Sequence, residues 1–380
     1  MIKRKHSGSD LTIFSEMTAL AIKNNAVNLS QGFPDFEIDG RLQSFLAEAT
    51  HQNFNQYAPM PGNPLLIENL IQFNAKRNLP IALAPENITI SPGASYGIFT
   101  ALAAILQFGD EVIVWEPCYD SYVPSIEING GIPVFLSLTD DFQIDFEALK
   151  NAINHRTKAI IVNSPHNPSG KILKKEDYDR LAELLEGSQI ILISDEVYDV
   201  LTYDHGEFYS AFNHLKLKNQ SLCIFSFGKM FHATGWKIGY VLASEELTAA
   251  YRRIHQYLGF SVNAPAQQAL ANFLEVFDVE ENRKFLQKKR DFFLETFRDL
   301  PFTIRQKAEA GYFQILGFEN ISDLSDKDFA VWLTEIGKVA SIPVSAFYQN
   351  ANDTKSVRFC FAKKEETLLR AAEKLKDFFK

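Results

Sequence analysis

The sequence predicts an α/β protein: a mostly parallel, seven-stranded sheet with helices on both faces, joined to a smaller α+β domain. Two observations carry this expectation. Seven short, nearly continuous apolar runs lie between about residue 86 and about residue 245, with amphipathic helical patterns between several of them. Strands that are apolar on both faces belong to parallel sheets covered on both sides. From about residue 275 the texture changes to a long charged helical stretch, short strands and a terminal helix.

In chain order the runs are Ile88–Ile90, Glu111–Trp115, Ile132–Ser137, Lys158–Asn163, Ile190–Ile193, Leu222–Phe225 and Gly239–Ala243. Lys174–Glu186 is one of the intervening amphipathic stretches, and small residues at Ser91–Gly97 join a strand to a helix running through Phe99 to Leu106. Beyond them come the helical stretch Glu280–Asp299 and the strands Tyr312–Leu316 and Val357–Phe361. The expected division is an N-terminal segment, residues 1–40, packing on the small domain; a large α/β domain, residues 41–275; and a small C-terminal domain, residues 276–380.

At 380 residues and 46% hydrophobic content, the chain is long enough to bury cores in more than one domain. A net charge of -9 without a basic stripe argues against nucleic acid and anionic membranes as partners. The three cysteines, Cys118, Cys223 and Cys360, are far apart and form no CxxC pair, so neither a metal site nor a disulfide framework is indicated. The basic start Met1–His6 is followed by Ser7–Asp10 rather than an apolar signal-peptide region, and no stretch is long and apolar enough to span a bilayer. The expected setting is the cytoplasm.

The chemistry gathers where these strands end, which is where open α/β sheets bind ligands. Ser226-Phe227-Gly228-Lys229 follows the run Leu222–Phe225 and continues to Lys237. Most loop lysines are solvated, but one just past a buried strand is placed for burial, which lowers its pKa and makes it a nucleophile towards aldehydes. Asp195, followed closely by Tyr198, ends another run. A carboxylate there is costly to bury without a cationic partner, and a pyridinium N–H is such a partner. Asn163–Gly170 places two prolines around Asn167, a rigid turn with a candidate cis bond. Gly93, Ala94 and Ser95 open a helix whose backbone N–H groups form a candidate phosphate cradle. Tyr119 brings an aromatic ring to the same edge.

Together, in this order and spacing, these segments resemble the fold type I pyridoxal-phosphate enzymes of the class I/II aminotransferase family, over essentially the whole stretch from Asn28 to Arg358. The resemblance implies that Lys229 carries pyridoxal 5'-phosphate as a Schiff base and acts as general base. It implies that Asp195 pairs with the pyridine nitrogen, and that Asn167 and Tyr198 hydrogen-bond the ring hydroxyl. It also implies that Tyr119 stacks on the ring, worth ~1 kcal/mol beyond its area burial. Ala94, Ser95, Ser226 and Lys237 hold the phosphate. Tyr57 is similar to the family tyrosine that reaches the phosphate from the second subunit, which implies a homodimer with shared active sites. Arg358 is similar to the arginine that binds the substrate carboxylate as a bidentate fork, and Gly32 to the glycine lying beside the substrate. Lys237 stands where many members have arginine, as is common in the methionine and kynurenine/glutamine–phenylpyruvate branch.

The implied partners are amino acids and 2-oxo acids. Of 32 phenylalanines most are core, but Phe14, Phe33, Phe36 and Phe347, with Tyr348, are expected to border the substrate and favour an apolar or aromatic side chain. With the pattern Ala340–Phe347, this points to methionine, then Phe, Tyr and His, as amino donors. Cysteine-conjugate β-elimination and kynurenine-type transamination at the same site remain alternatives. A DNA-binding regulator lacks its extra module here, and a nicotinamide dehydrogenase lacks GxGxxG. His166 and His232 are read as structural.

Overall fold

The computed structural model describes residues 11–77 and 82–380; the basic start Met1–His6 lies outside the described residues. All seven apolar runs form strands of one sheet, in the spatial order Ile88–Ser91, Gly239–Ala243, Ser221–Ser226, Ile191–Asp195, Thr157–Asn163, Glu111–Glu116 and Ile132–Ser137. Neighbours are parallel except Gly239–Ala243, which runs antiparallel to both strands beside it. Successive side chains on a strand point to opposite faces. Ile160 and Val162 therefore enter one core while Ala159 and Ile161 enter the other. Both faces are dry, which is why these runs are apolar throughout. The edge strand Ile132–Ser137 is the exception, being only half-buried.

The crossover helices bury one stripe each. In Lys175–Leu185 the buried positions are Tyr178, Leu181, Ala182 and Leu185, the spacing of a single helical face. Helix starts are capped by short polar side chains: Asp145 accepts from the backbone N–H of Glu147 and Ala148 at 3.0 Å each.

A second, three-stranded antiparallel sheet joins Ile342–Pro343, Ser356–Cys360 and Phe313–Gly317, with Arg358 opposite Ile315. The N-terminal segment adds Val27–Asn28 in parallel to Val339–Ala340. Leu29 then accepts from Cys360 N–H at 2.8 Å, which carries the segment past the strand bearing Arg358. The helix Val279–Phe297 packs on the terminal helix Glu365–Phe378. Among the described residues no helix is long and apolar enough to cross a membrane.

Candidate active site

Parallel register brings the polar strand ends together. Asn163 pairs with Asp195 across adjacent strands, and the neighbouring strand ends at Ser226. Above this edge lies a cavity of about 320 Å³. Twelve of the thirteen residues singled out from sequence line it: Gly32, Gly93, Ala94, Ser95, Tyr119, Asn167, Asp195, Tyr198, Ser226, Lys229, Lys237 and Arg358. The thirteenth, Tyr57, is 84% exposed and does not border the cavity of its own chain.

Lys229 sits on the short helix Phe227–Met230, whose N-cap Ser226 accepts from its backbone N–H at 3.4 Å. Its side chain is half-buried, and Nζ donates to Gly32 C=O at 2.9 Å. Burial, with Arg358 and Lys237 adding repulsion, pushes its pKa from 10.5 down to about 8. Asp195 is 4% exposed; Tyr122 Oη donates to its Oδ2 at 2.5 Å. Burial raises its pKa to about 6, and the Tyr122 hydrogen bond opposes that rise.

The turn after Thr157–Asn163 contains two cis peptide bonds, Ser164-Pro165 and Asn167-Pro168. Asn163 accepts from Asn167 N–H at 2.8 Å and donates to Asp195 C=O at 2.9 Å. Asn167 Oδ1 in turn accepts from Arg358 at 2.7 Å. Arg358 is 1% exposed and also donates to Ser30 C=O at 3.1 Å, while its Nε is buried without a partner. Phe313 lies 3.7 Å from the guanidinium, with Phe347 and Phe14 at 5.0 and 5.3 Å. No carboxylate forms an ion pair with Arg358 among the described residues, so it is not a surface pair but a buried cation bordering a cavity.

The helix Ala94–Ile105 begins after Gly93, whose φ of 86° suits glycine. Its first backbone bond runs from Gly97 N–H to Gly93 C=O, so Ala94, Ser95 and Tyr96 have no N–H acceptor within the helix. A Cβ added at Gly93 would lie 3.6 Å from Lys237 Nζ, so the missing side chain keeps this corner open beside the lysine. These donors suit a phosphate, the buried Asp195 carboxylate suits a pyridinium, and Lys229 suits an aldehyde. The residues present fit pyridoxal phosphate.

Corrections concern the aromatic border. Phe14 and Phe33 line the cavity, but Phe36, Phe347 and Tyr348 do not. Phe36 turns edge-on to His232 and Phe285, at 5.2 and 5.1 Å, burying itself against the helix Val279–Phe297. Phe347 packs behind Arg358. Sequence reasoning missed Tyr122, three positions after Tyr119 and so within reach of one helical turn, and Phe313, quoted only as part of a strand. It also gave Asn163 no role.

The family model for aminotransferase class I and II matches residues 24–375. Methionine aminotransferase of Escherichia coli is 39% identical over 369 residues, covering 96% of this chain and 95% of the relative. Kynurenine–oxoglutarate transaminase of Dictyostelium discoideum is 33% identical, covering 96% and 93%. A crystal structure of an Escherichia coli protein with a methionine aminotransferase function superposes with a TM-score of 0.95 at 38% identity, covering 99% of each chain. A match over nearly the whole chain, around a half-buried lysine and a cavity that fits the cofactor, makes this protein a pyridoxal-phosphate-dependent member of aminotransferase class I and II.

Proposed function

We propose that the enzyme takes the amino group of an apolar L-amino acid, methionine foremost and Phe, Tyr or His after it, and passes it to a 2-oxo acid. The observation that carries the reading is Arg358: a buried guanidinium that forms no ion pair with a carboxylate among the described residues, bordering the same cavity as Lys229 among aromatic rings. A substrate carboxylate supplies the missing counter-charge and is held bidentately, which orients the α-carbon. Phe14, Phe33 and Phe313 give the remaining wall an apolar character, and Arg358 is the one arginine in the lining among the described residues. That favours methionine over a dicarboxylic donor, and a relative that acts on methionine supports the choice.

Bound pyridoxal phosphate supplies an aldehyde carbon for amines and a ring that accepts the electron pair left by the α-proton. Lys229 Nζ, neutral in part near pH 8, takes that proton and returns it during reprotonation. Asp195 keeps the ring nitrogen protonated, and Tyr122 keeps Asp195 ionised. Ser95, Ser226, Lys237 and the N–H groups after Gly93 would hold the phosphate, and Asn167 and Tyr198 would hydrogen-bond the ring hydroxyl. In the same reading the chain pairs as a homodimer, and the exposed Tyr57 completes the phosphate site of the partner subunit. The division at residues 40 and 275 is kept as the boundary between the segment, the large domain and the small domain. Three buried, unpaired thiols support a reducing cytoplasm.

The test is an absorbance spectrum of the purified enzyme, then methionine without oxo acid. A visible band lost in Lys229→Ala and bleached by methionine supports the reading. A band indifferent to methionine, or a clear kinetic preference for aspartate, overturns the substrate choice. Pyruvate and ammonia formed from a cysteine conjugate without an acceptor would identify a β-lyase.

A further inference from the structure

His232, read from sequence as merely structural, lies three residues beyond Lys229 with a left-handed backbone (φ 61°). Its half-buried ring meets Phe36 edge-on at 5.2 Å and is tilted against Phe285 and Tyr312 at 6.3 and 6.1 Å. Both ring nitrogens are engaged. Nδ1 is 2.8 Å from Tyr312 Oη, and Nε2 is 2.8 Å from the side-chain amide of Asn282. Tyr312 is fully buried, and its hydroxyl donates to the backbone C=O of Lys229 at 2.6 Å. Its ring centre is 5.5 Å from Lys229 Nζ.

Counting protons assigns the roles. A tyrosine hydroxyl has one proton, and here it goes to the Lys229 carbonyl, so Oη can only accept from His232. The proton of His232 must then sit on Nδ1. Burial lowers the His232 pKa to about 4, so the ring carries one proton at neutral pH and Nε2 is an acceptor. Asn282 has Oδ1 towards Nε2 and its Nδ2 3.5 Å from Met230 C=O, a poor hydrogen bond. Exchanging the two amide atoms, which have the same outline, gives Nε2 the donor it needs and gives up that weak contact, since Oδ1 then faces the Met230 C=O across 3.5 Å. The outcome is a one-way series of donors: Asn282 to His232, His232 to Tyr312, Tyr312 to the Lys229 carbonyl.

The partners come from different parts of the fold. Phe36 belongs to the N-terminal segment, Asn282 and Phe285 to the helix Val279–Phe297, and Tyr312 immediately precedes the strand Phe313–Gly317. We propose that His232 is a positioning residue for Lys229: by orienting the Tyr312 hydroxyl it holds the Lys229 carbonyl, and so aims the amine-bearing turn at the cavity. This rests on Lys229 being the cofactor-bearing lysine.

The test uses the cofactor-loaded enzyme and the variants Tyr312→Phe, His232→Leu, His232→Asn and the double variant Tyr312→Phe/His232→Leu. Asparagine offers Nδ2–H where histidine has Nδ1–H, and it tolerates a left-handed backbone. Two quantities are read: the pKa of the visible lysine–cofactor band, and the rate and half-saturation of its bleaching by methionine. Tyr312→Phe and His232→Leu are expected to shift the band pKa in the same direction and slow bleaching roughly 10- to 100-fold with half-saturation nearly unchanged. The double variant should be no slower than the worse single one, and His232→Asn should stay within about threefold of wild type. An unaltered rate and band pKa in Tyr312→Phe, multiplying losses, or His232→Asn as impaired as His232→Leu overturns the proposal. Should His232→Leu fail to fold, Tyr312→Phe and His232→Asn decide it, the first needing to be impaired and the second not. A Lys229→Ala enzyme that keeps the visible band would instead sink the reading of Lys229 itself.

Discussion

Arg358→Leu separates binding of a substrate carboxylate from stability of the fold. Burial lowers the guanidinium pKa from 12.5 to about 10, so keeping Arg358 charged costs about 3 kcal/mol at any pH below about 10. Leucine removes that cost and still packs on Phe313, Phe347 and Phe14. Against this, Asn167 Oδ1 and Ser30 C=O lose their donor, at about 1–2 kcal/mol each. The terms nearly cancel, and the substrate-free protein should change in stability by no more than about 1–2 kcal/mol. Catalysis has no such cancellation. A substrate carboxylate left buried without its fork loses about 2–5 kcal/mol, roughly 30- to 4,000-fold in kcat/KM. The assay compares L-methionine with its decarboxylated amine, 3-(methylthio)propylamine, in bleaching of the cofactor band, alongside thermal unfolding. The amine should be nearly indifferent to the substitution. If it loses as much as methionine, or if methionine loses less than about tenfold, Arg358 does not bind the carboxylate.

Affinity for pyridoxal phosphate should weaken as pH falls through about 6, where Asp195 takes a proton and can no longer pair with a pyridinium. Tyr122 favours the carboxylate, so Tyr122→Phe should move that midpoint upward by about one to two pH units; an unmoved midpoint in titrations followed by absorbance contradicts the role. Gly93→Ala forces an L side chain to φ 86° and brings a Cβ into contact with Lys237, and fluorescence-monitored cofactor release should become about tenfold easier. Tyr57→Ala subunits mixed with Lys229→Ala subunits should form hybrid dimers with one restored site; activity no higher than either parent argues against sharing. Cys118, its thiol pushed up to about 12 by burial, should resist a thiol reagent in the native enzyme along with Cys223 and Cys360, and all three should react once it is unfolded.

Strand positions were legible to within one or two residues because the inner strands are covered on both faces, so each is apolar along most of its length. Strand direction was not. Gly239–Ala243 is as apolar as its neighbours, yet lies antiparallel between Ile88–Ser91 and Ser221–Ser226. Side-chain alternation is the same either way up, so no local pattern records it. The residues that gather around the cavity were legible because strand ends concentrate them into short motifs. Phe36 was misjudged because its neighbours, Phe285 and His232, are remote in sequence and claim its ring.

By itself, then, the sequence determined which polar residues stand at the ends of buried strands, since burial and local order are written in nearest neighbours. Only the tertiary structure decided their partners. The Arg358–Asn167 contact spans 191 positions, and Tyr122 meets Asp195 across 73. The Tyr312 hydroxyl reaches the Lys229 carbonyl across 83. Such contacts arise from the packing of two sheets and a helix against one another, and chain spacing carries no trace of them.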